Sequence, residues 1–211
     1  MTLWAPSLQN INSRSDLTEV SDLLNGLKRH PIAISPWKGY AAPVTAAFSI
    51  AHGQDCILLK YFVREPFSIP LYHKINDPVY KDSCVEFFIG FNQETKYYNF
   101  EFNNAGTGLM GFGTKNERAY VAEAVIRQIK YSCSFKNAES EGLACWELVL
   151  VIPFTAFCFH QINAVSNMLC KGNFFKCGDD LSQPHYLVWN NIHSARPDFH
   201  QPEFFGTIDF G

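Results

Sequence analysis

The chain has 211 residues, 47% of them hydrophobic and 15% aromatic, with a formal net charge of −3. That is enough apolar material for a packed core, which excludes a disordered chain, and no basic run offers the cationic footprint that a phosphate backbone needs. No apolar stretch is long enough for a membrane-spanning helix, so neither nucleic acid nor membrane is expected as a partner.

The N-terminus, MTLWAPSLQNINSRSDL, lacks the basic and apolar regions of a signal peptide. The expectation is a cytoplasmic protein as written, and a secreted or periplasmic one if a leader precedes this numbering. Residues 16–27, DLTEVSDLLNGL, predict a helix. Asp16 and Glu19 fit a capping box, Leu17, Val20, Leu23, Leu24 and Leu27 form an apolar stripe, and Gly26 sits near the stop.

Beyond HPIAISPWKGY the pattern changes to strands. VTAAFSIAH and CILLKYFVRE flank GQD, a hairpin signal. A long loop with three prolines, REPFSIPLYHKINDPVYKD, follows, and loops of that length tend to carry function. SCVEFFIGF and YYNFEFN then predict a second hairpin across NQETK. Further strands are expected over 107–113, 119–124, 125–136 and 143–152, a helical turn in IPFTAFCFHQI, and closing strands in GNFFKCGD, HYLVWN and FGTIDF. About ten strands and few helices predict an all-β fold, an antiparallel β-sandwich of jelly-roll or immunoglobulin-like type with a short N-terminal helix. Residues 1–39 are expected to be an extension packed on a single domain over 40–211.

The seven cysteines include no C-x-x-C, and most lie in apolar runs. They read as reduced core residues, which favours a reducing compartment. Cys170, Cys177 and His185 form a conceivable zinc trio, but their spacing fits no structural zinc pattern. GTGLMG, residues 106–111, spells G-x-G-x-x-G, yet polar turn residues follow it where a dinucleotide site needs a helix. It reads as a glycine-rich connection between strands.

Glu86 interrupts the apolar run SCVEFFIGF. Strand side chains alternate faces, so Cys84, Glu86 and Phe88 share one face, as do Tyr97, Asn99, Glu101 and Asn103 on the next strand. A hairpin puts Glu86 and Glu101 on the same face. Such a stripe is often a solvated outer face, but Cys84 and Phe88 are apolar and the flanking loops are aromatic. A half-buried polar floor with aromatic walls suits a sugar, whose C–H faces stack on rings and whose hydroxyls need hydrogen-bond partners.

DSCVEFFI, YYNFEFN and HYLVWNNIHSARPDFHQPEFFGTIDF, in this order and spacing, resemble the family 9 carbohydrate-binding modules, a branch of the DOMON-like β-sandwiches. The resemblance runs from about residue 40 to 211. It implies a non-catalytic protein that stacks a terminal sugar of a mono- or oligosaccharide between two aromatic side chains, here Tyr80 and Phe199. The strand glutamate that bonds sugar hydroxyls in the family is Glu86. A basic family position holds Glu101 and an amide position holds Arg196. The clamp is Tyr and Phe where the family has Trp. Asn103 joins Glu86, Glu101 and Arg196 as a hydroxyl-bonding candidate, and Trp189 is either core or ligand-facing. No cofactor is assigned. Some relatives carry structural calcium, and Asp77, Asp82, Asp179 and Asp180 are acidic loop candidates. Two other readings stand beside this one. Glu86 and Glu101 as close neighbours could approach the roughly 5 Å carboxylate separation of retaining glycoside hydrolases. A haem module of the DOMON type would need axial ligands such as Met110 with His185 or His200.

Overall fold

The computed structural model describes residues 1–137, 142–166 and 168–211. Its strands are β1 (Thr2–Ala5), β2 (His30–Ile32), β3 (Thr45–His52), β4 (Cys56–Pro66), β5 (Cys84–Phe91), β6 (Tyr97–Asn103), β7 (Gly108–Gly113), β8 (Arg118–Tyr120), β9 (Lys130–Asn137), β10 (Leu143–Pro153), β11 (Cys170–Cys177), β12 (Tyr186–Val188) and β13 (Gly206–Phe210). Two helices, α1 (Leu17–Asn25) and α2 (Glu123–Ile126), and three single 3-10 turns complete it.

The strands form two sheets. One runs β1-β13-β11-β5-β6-β7-β8, with β12 also paired to β11, and the other runs β2-β3-β4-β10-β9. All named pairings are antiparallel except that of β1 with β13. Alternation assigns the inner faces. Ile57, Leu59, Tyr61 and Val63 of β4 and Trp146, Leu148, Leu150 and Ile152 of β10 meet Val85, Phe87, Ile89 and Phe91 of β5 and Phe100 and Phe102 of β6. Phe174 of β11 stacks on Phe48 of β3 with ring centroids 3.6 Å apart. Burying a side chain of this size contributes about 2–3 kcal/mol, so the intersheet layer dominates stability.

Helix α1 lies on the outer face of the second sheet, with Val20 and Leu24 against Ala51, Leu58, Val149 and Val151. The Asp16 carboxylate caps it, accepting from the Thr18 and Glu19 amides at 2.8 and 3.3 Å. Leu23 of the expected stripe faces solvent instead, at 40% exposure. The N-terminal stretch supplies more than this helix: β1 and β2 each add an edge strand to one of the two sheets. The strand expected over 125–136 begins with helix α2 and is a strand only from Lys130.

GTGLMG runs from the end of the turn after β6 into β7, and no helix opens from it. Gly106 has φ +79°, and a Cβ there would come within 2.2 Å of the Tyr131 ring. Gly106→Ala is expected to cost about 1–2 kcal/mol from backbone strain, read as a lower midpoint in chemical denaturation.

Candidate functional site

The site lies on the outer face of the larger sheet, where β5, β6 and β11 run side by side. The β5–β6 register sets Glu86 directly opposite Glu101, Cys84 opposite Asn103 and Phe88 opposite Asn99. On the other side of β5, Phe175 opposes Glu86 and Cys177 opposes Cys84. This stripe floors a cavity of about 340 Å³ lined by Tyr80, Glu86, Glu101, Cys177, Asp179, Tyr186, Pro197, Asp198, Phe199 and His200. That volume is at the lower end of small-molecule sites.

Three segments close over the floor. The long loop after β4 ends in a 3-10 turn, Val79–Lys81, which carries Tyr80 to the rim. Asp82 pins this loop by accepting from the Leu71 and Tyr72 amides at 3.0 and 3.1 Å. The turn after β11 brings Asp179, whose amide donates to the Tyr80 carbonyl at 3.1 Å. The closing loop brings Pro197 to His200. Its Phe199 ring stacks on Phe175 at 4.2 Å and meets Trp37 at 5.9 Å, while Trp37 Nε1 donates to the Ser194 carbonyl at 3.0 Å.

The electrostatics are one-sided. Glu86 and Glu101 are both buried, and no lysine or arginine lines the cavity among the described residues. Burial, then the Cys177 thiol and Glu101, hold the Glu86 carboxyl well above the ordinary carboxylate range. The Cys177 Sγ donates to Glu86 Oε1 at 3.0 Å. Burial pushes Glu101 up to about 7, against the pull of an Asn99 hydrogen bond and the charge of Arg118. Burial, with Asp180 nearby, pushes Asp179 up to about 6. Glu101 Oε1 accepts from Asn99 Nδ2 at 2.8 Å, and Glu101 Oε2 is buried with no partner. His200 is kept neutral: burial and Arg118 depress its pKa to about 4, and its Nδ1 faces the Tyr97 hydroxyl at 2.9 Å.

Of the sequence candidates, Tyr80, Glu86, Glu101 and Phe199 meet in this cavity and three do not. Asn103 spends its hydrogen-bonding capacity on the scaffold. Its amide donates to the Tyr72 carbonyl and Asp82 at 2.8 and 2.9 Å, and its carbonyl accepts from the Ala105 and Thr107 amides. It therefore holds the long loop in place and has nothing left for a ligand. Trp189 is core, edge-on to Phe48 and Phe174 between the sheets. Arg196 is exposed and absent from the cavity lining. Sequence reasoning missed Cys177, Tyr186, Asp198 and His200 as lining residues, and had Asp179 only as a calcium candidate. The face alternation of GNFFKCGD puts Cys177 on the face of Phe175, but only the pairing of β11 with β5 sets it beside Cys84, and the loop residues carried no signal.

Cys84, Glu86 and Cys177 are the group among the described residues whose ligand atoms, all within 4.8 Å of one another, could hold a metal ion. The trio Cys170, Cys177 and His185 is not assembled. Cys170 packs in the intersheet core, Cys177 faces the cavity, and His185 contacts Lys176 and the Gln183 carbonyl. Met110 is likewise buried in the core, so neither His185 nor His200 has it as an axial partner. A larger cavity, about 610 Å³, lies between Lys74, Gly108, Arg127 and Tyr131. None of the unpartnered buried polar atoms opens into it.

Fold and cavity together define a β-sandwich with an acidic, aromatic-walled cavity on one sheet face. The chain matches the model of carbohydrate-binding family 9 over residues 19–210, and it belongs to that family. It is similar to a candidate carbohydrate-binding protein from Bacteroides uniformis ATCC 8492, with 38% identity and TM-score 0.92 over 100% of this chain and 99% of that one. A family 9 module from Caldicellulosiruptor kristjanssonii, solved with cellotriose and with glucose, shares the fold. It has TM-score 0.57 in both structures, identities of 12% and 13%, and coverage of 100% of this chain and 93% and 96% of those chains. No curated protein matches the chain.

Proposed function

We propose that the protein binds a terminal sugar in the cavity between Tyr80, Tyr186 and Phe199, without cleaving it. The observation that carries this reading is the unpartnered Glu101 Oε2, buried at the floor of an aromatic-walled cavity. A buried acceptor without a donor is costly, and a sugar hydroxyl supplies the donor. Aromatic walls supply the stacking surface for the ring. Family membership, and the cellotriose and glucose bound by the Caldicellulosiruptor module, support the same ligand class.

A glycan-array screen tests it, with Tyr80→Ala and Phe199→Ala beside the wild type. Each variant is expected to weaken binding at least tenfold, which is about 1.4 kcal/mol. Phe199 also stacks on Phe175, so a melting curve accompanies it; Tyr80, half-buried on the rim, reports on the ligand more directly. Binding of no glycan, or binding untouched by both variants, would overturn the assignment. The direct opposition of Glu86 and Glu101 favours one second reading. Reducing ends released from a bound oligosaccharide, and no longer released by Glu86→Gln, would make the protein a glycoside hydrolase.

A further inference from the structure

We infer that the sugar this cavity selects is cationic, a hexosamine with a free protonated amine. The inference rests on the sugar-binding reading above and narrows it to a substrate class. Four carboxylates line the cavity: Glu86 from β5, Glu101 from β6, Asp179 from the turn after β11 and Asp198 from the closing loop. No lysine or arginine among the described residues lines it with them.

The guanidinium whose charge acts on Glu101 is spent elsewhere. Arg118 of β8 sits 4.2 Å over the Tyr97 ring. Its Nη1 donates to the Gly113 and Thr114 carbonyls, and its Nη2 to the Tyr97 carbonyl and Asn99 Oδ1. Its charge acts on Glu101 from behind Asn99, which occupies Oε1 and leaves Oε2 open. His200 is neutral and engaged with Tyr97. Asp198 already accepts from the His200 amide at 2.8 Å and from Gln201 Nε2, and Asp179 from the Tyr186 hydroxyl. The unpartnered carboxylate oxygen at the floor is therefore Glu101 Oε2, beside Glu86.

A hydroxyl offers that floor one donor and no charge. An ammonium offers three donors and the missing counter-charge, and charge-assisted hydrogen bonds are about twice as strong as neutral ones. Tyr80, Tyr186 and Phe199 add ring faces, which attract a desolvated cation. N-acetylation keeps the sugar and removes the charge, so it separates the two contributions.

Calorimetric titration with D-glucosamine, N-acetyl-D-glucosamine and D-glucose at pH 7 tests the inference, on wild type and Glu101→Gln. Glucosamine is expected to bind at least tenfold tighter than either neutral sugar. Glu101→Gln is expected to cut the glucosamine-to-glucose affinity ratio at least fivefold, whatever it does to glucose itself. Neutral sugars binding as tightly as glucosamine, or a preference unchanged in Glu101→Gln, would sink this inference and leave the sugar site standing. Failure of every sugar to bind would sink both. Zinc chloride alone binding at the Cys84, Glu86 and Cys177 cluster and expelling glucosamine would overturn it in favour of a metal centre.

Discussion

Lys176→Met is expected to destabilise the protein by about 3–5 kcal/mol, because it leaves the Glu65 carboxylate buried without its cation. Lys176 is on the inner face of β11 and Glu65 at the end of the inner face of β4, so their 2.9 Å ion pair bridges the two sheets. Lys176 and Glu65 are 0% and 2% exposed. Every part of the pair has further partners. Lys176 Nζ donates to the Cys177 carbonyl at 2.8 Å and contacts His185 Nε2 at 2.9 Å. Glu65 Oε1 accepts from Trp146 Nε1 at 2.6 Å and from the Ser83 hydroxyl. Burial works to raise the Glu65 pKa, but the charge of Lys176 and the Ser83 and Trp146 hydrogen bonds outweigh it and hold the carboxyl ionised. Urea denaturation measures the loss. The double variant Lys176→Met with Glu65→Gln should recover most of it, since it removes the orphaned charge as well. If Lys176→Met alone costs less than about 1 kcal/mol, the pair is not the clamp between sheets that its geometry describes. Acid should act at the same place. Burial, then Lys176, depress His185 to about 4. The unfolded chain takes up that proton near the ordinary value of 6.5 and the folded chain does not, so His185 removes stability as pH falls from about 6.5 to about 4.

Period-2 alternation made the sandwich legible, because each strand buries a full face. The Glu86–Glu101 pairing followed from the same rule plus a five-residue hairpin connection. What alternation could not supply was the destination of side chains in loops, and it could not tell a polar residue that serves the scaffold from one that serves a ligand. Asn103 shows this. Its position on the site face was legible, but its hydrogen bonds go to a loop about 30 residues earlier in the chain. Trp189 has its place fixed by Phe48 of β3 and Phe174 of β11, contacts made across strands, so no local pattern separated core from rim. Cys177 and Tyr186 joined the site because β11 and β12 pair beside β5, a non-local arrangement. The edge strands β1 and β2 are four and three residues long, too short for alternation to show.

Glu101→Gln should stabilise the ligand-free protein at pH 8 by about 3 kcal/mol and leave it almost unchanged near pH 4.5. The sign follows from the direction in which burial moves the carboxyl. Burial raises the folded-state pKa from 4.5 to about 7, so the native state favours the protonated acid. The stability of the neutral form is fully present below about 4.5 and is lost as pH rises through about 7, at about 1.4 kcal/mol for each pH unit between those two values. Glutamine keeps the acceptor for Asn99 and removes the ionisation. The groups around Glu101 are the same in both proteins: Glu86 on β5, Cys177 and Asp179 at the end of β11, Tyr80 and Tyr186 on the rim, Asp198 and His200 in the closing loop, and Arg118 behind Asn99. Those groups, and the acid sensitivity of His185, largely cancel when the two denaturation curves are subtracted. The difference curve therefore isolates Glu101, apart from the small response of Glu86 to losing a charged neighbour. A flat difference from pH 4.5 to 8 would mean that the Glu101 carboxylate already has a counter-charge in the free protein. A difference that climbs with pH, and shrinks when glucosamine is present, would mean that the floor keeps an uncompensated carboxylate which the ligand neutralises, since a ligand bound only by the folded state adds its binding free energy to stability.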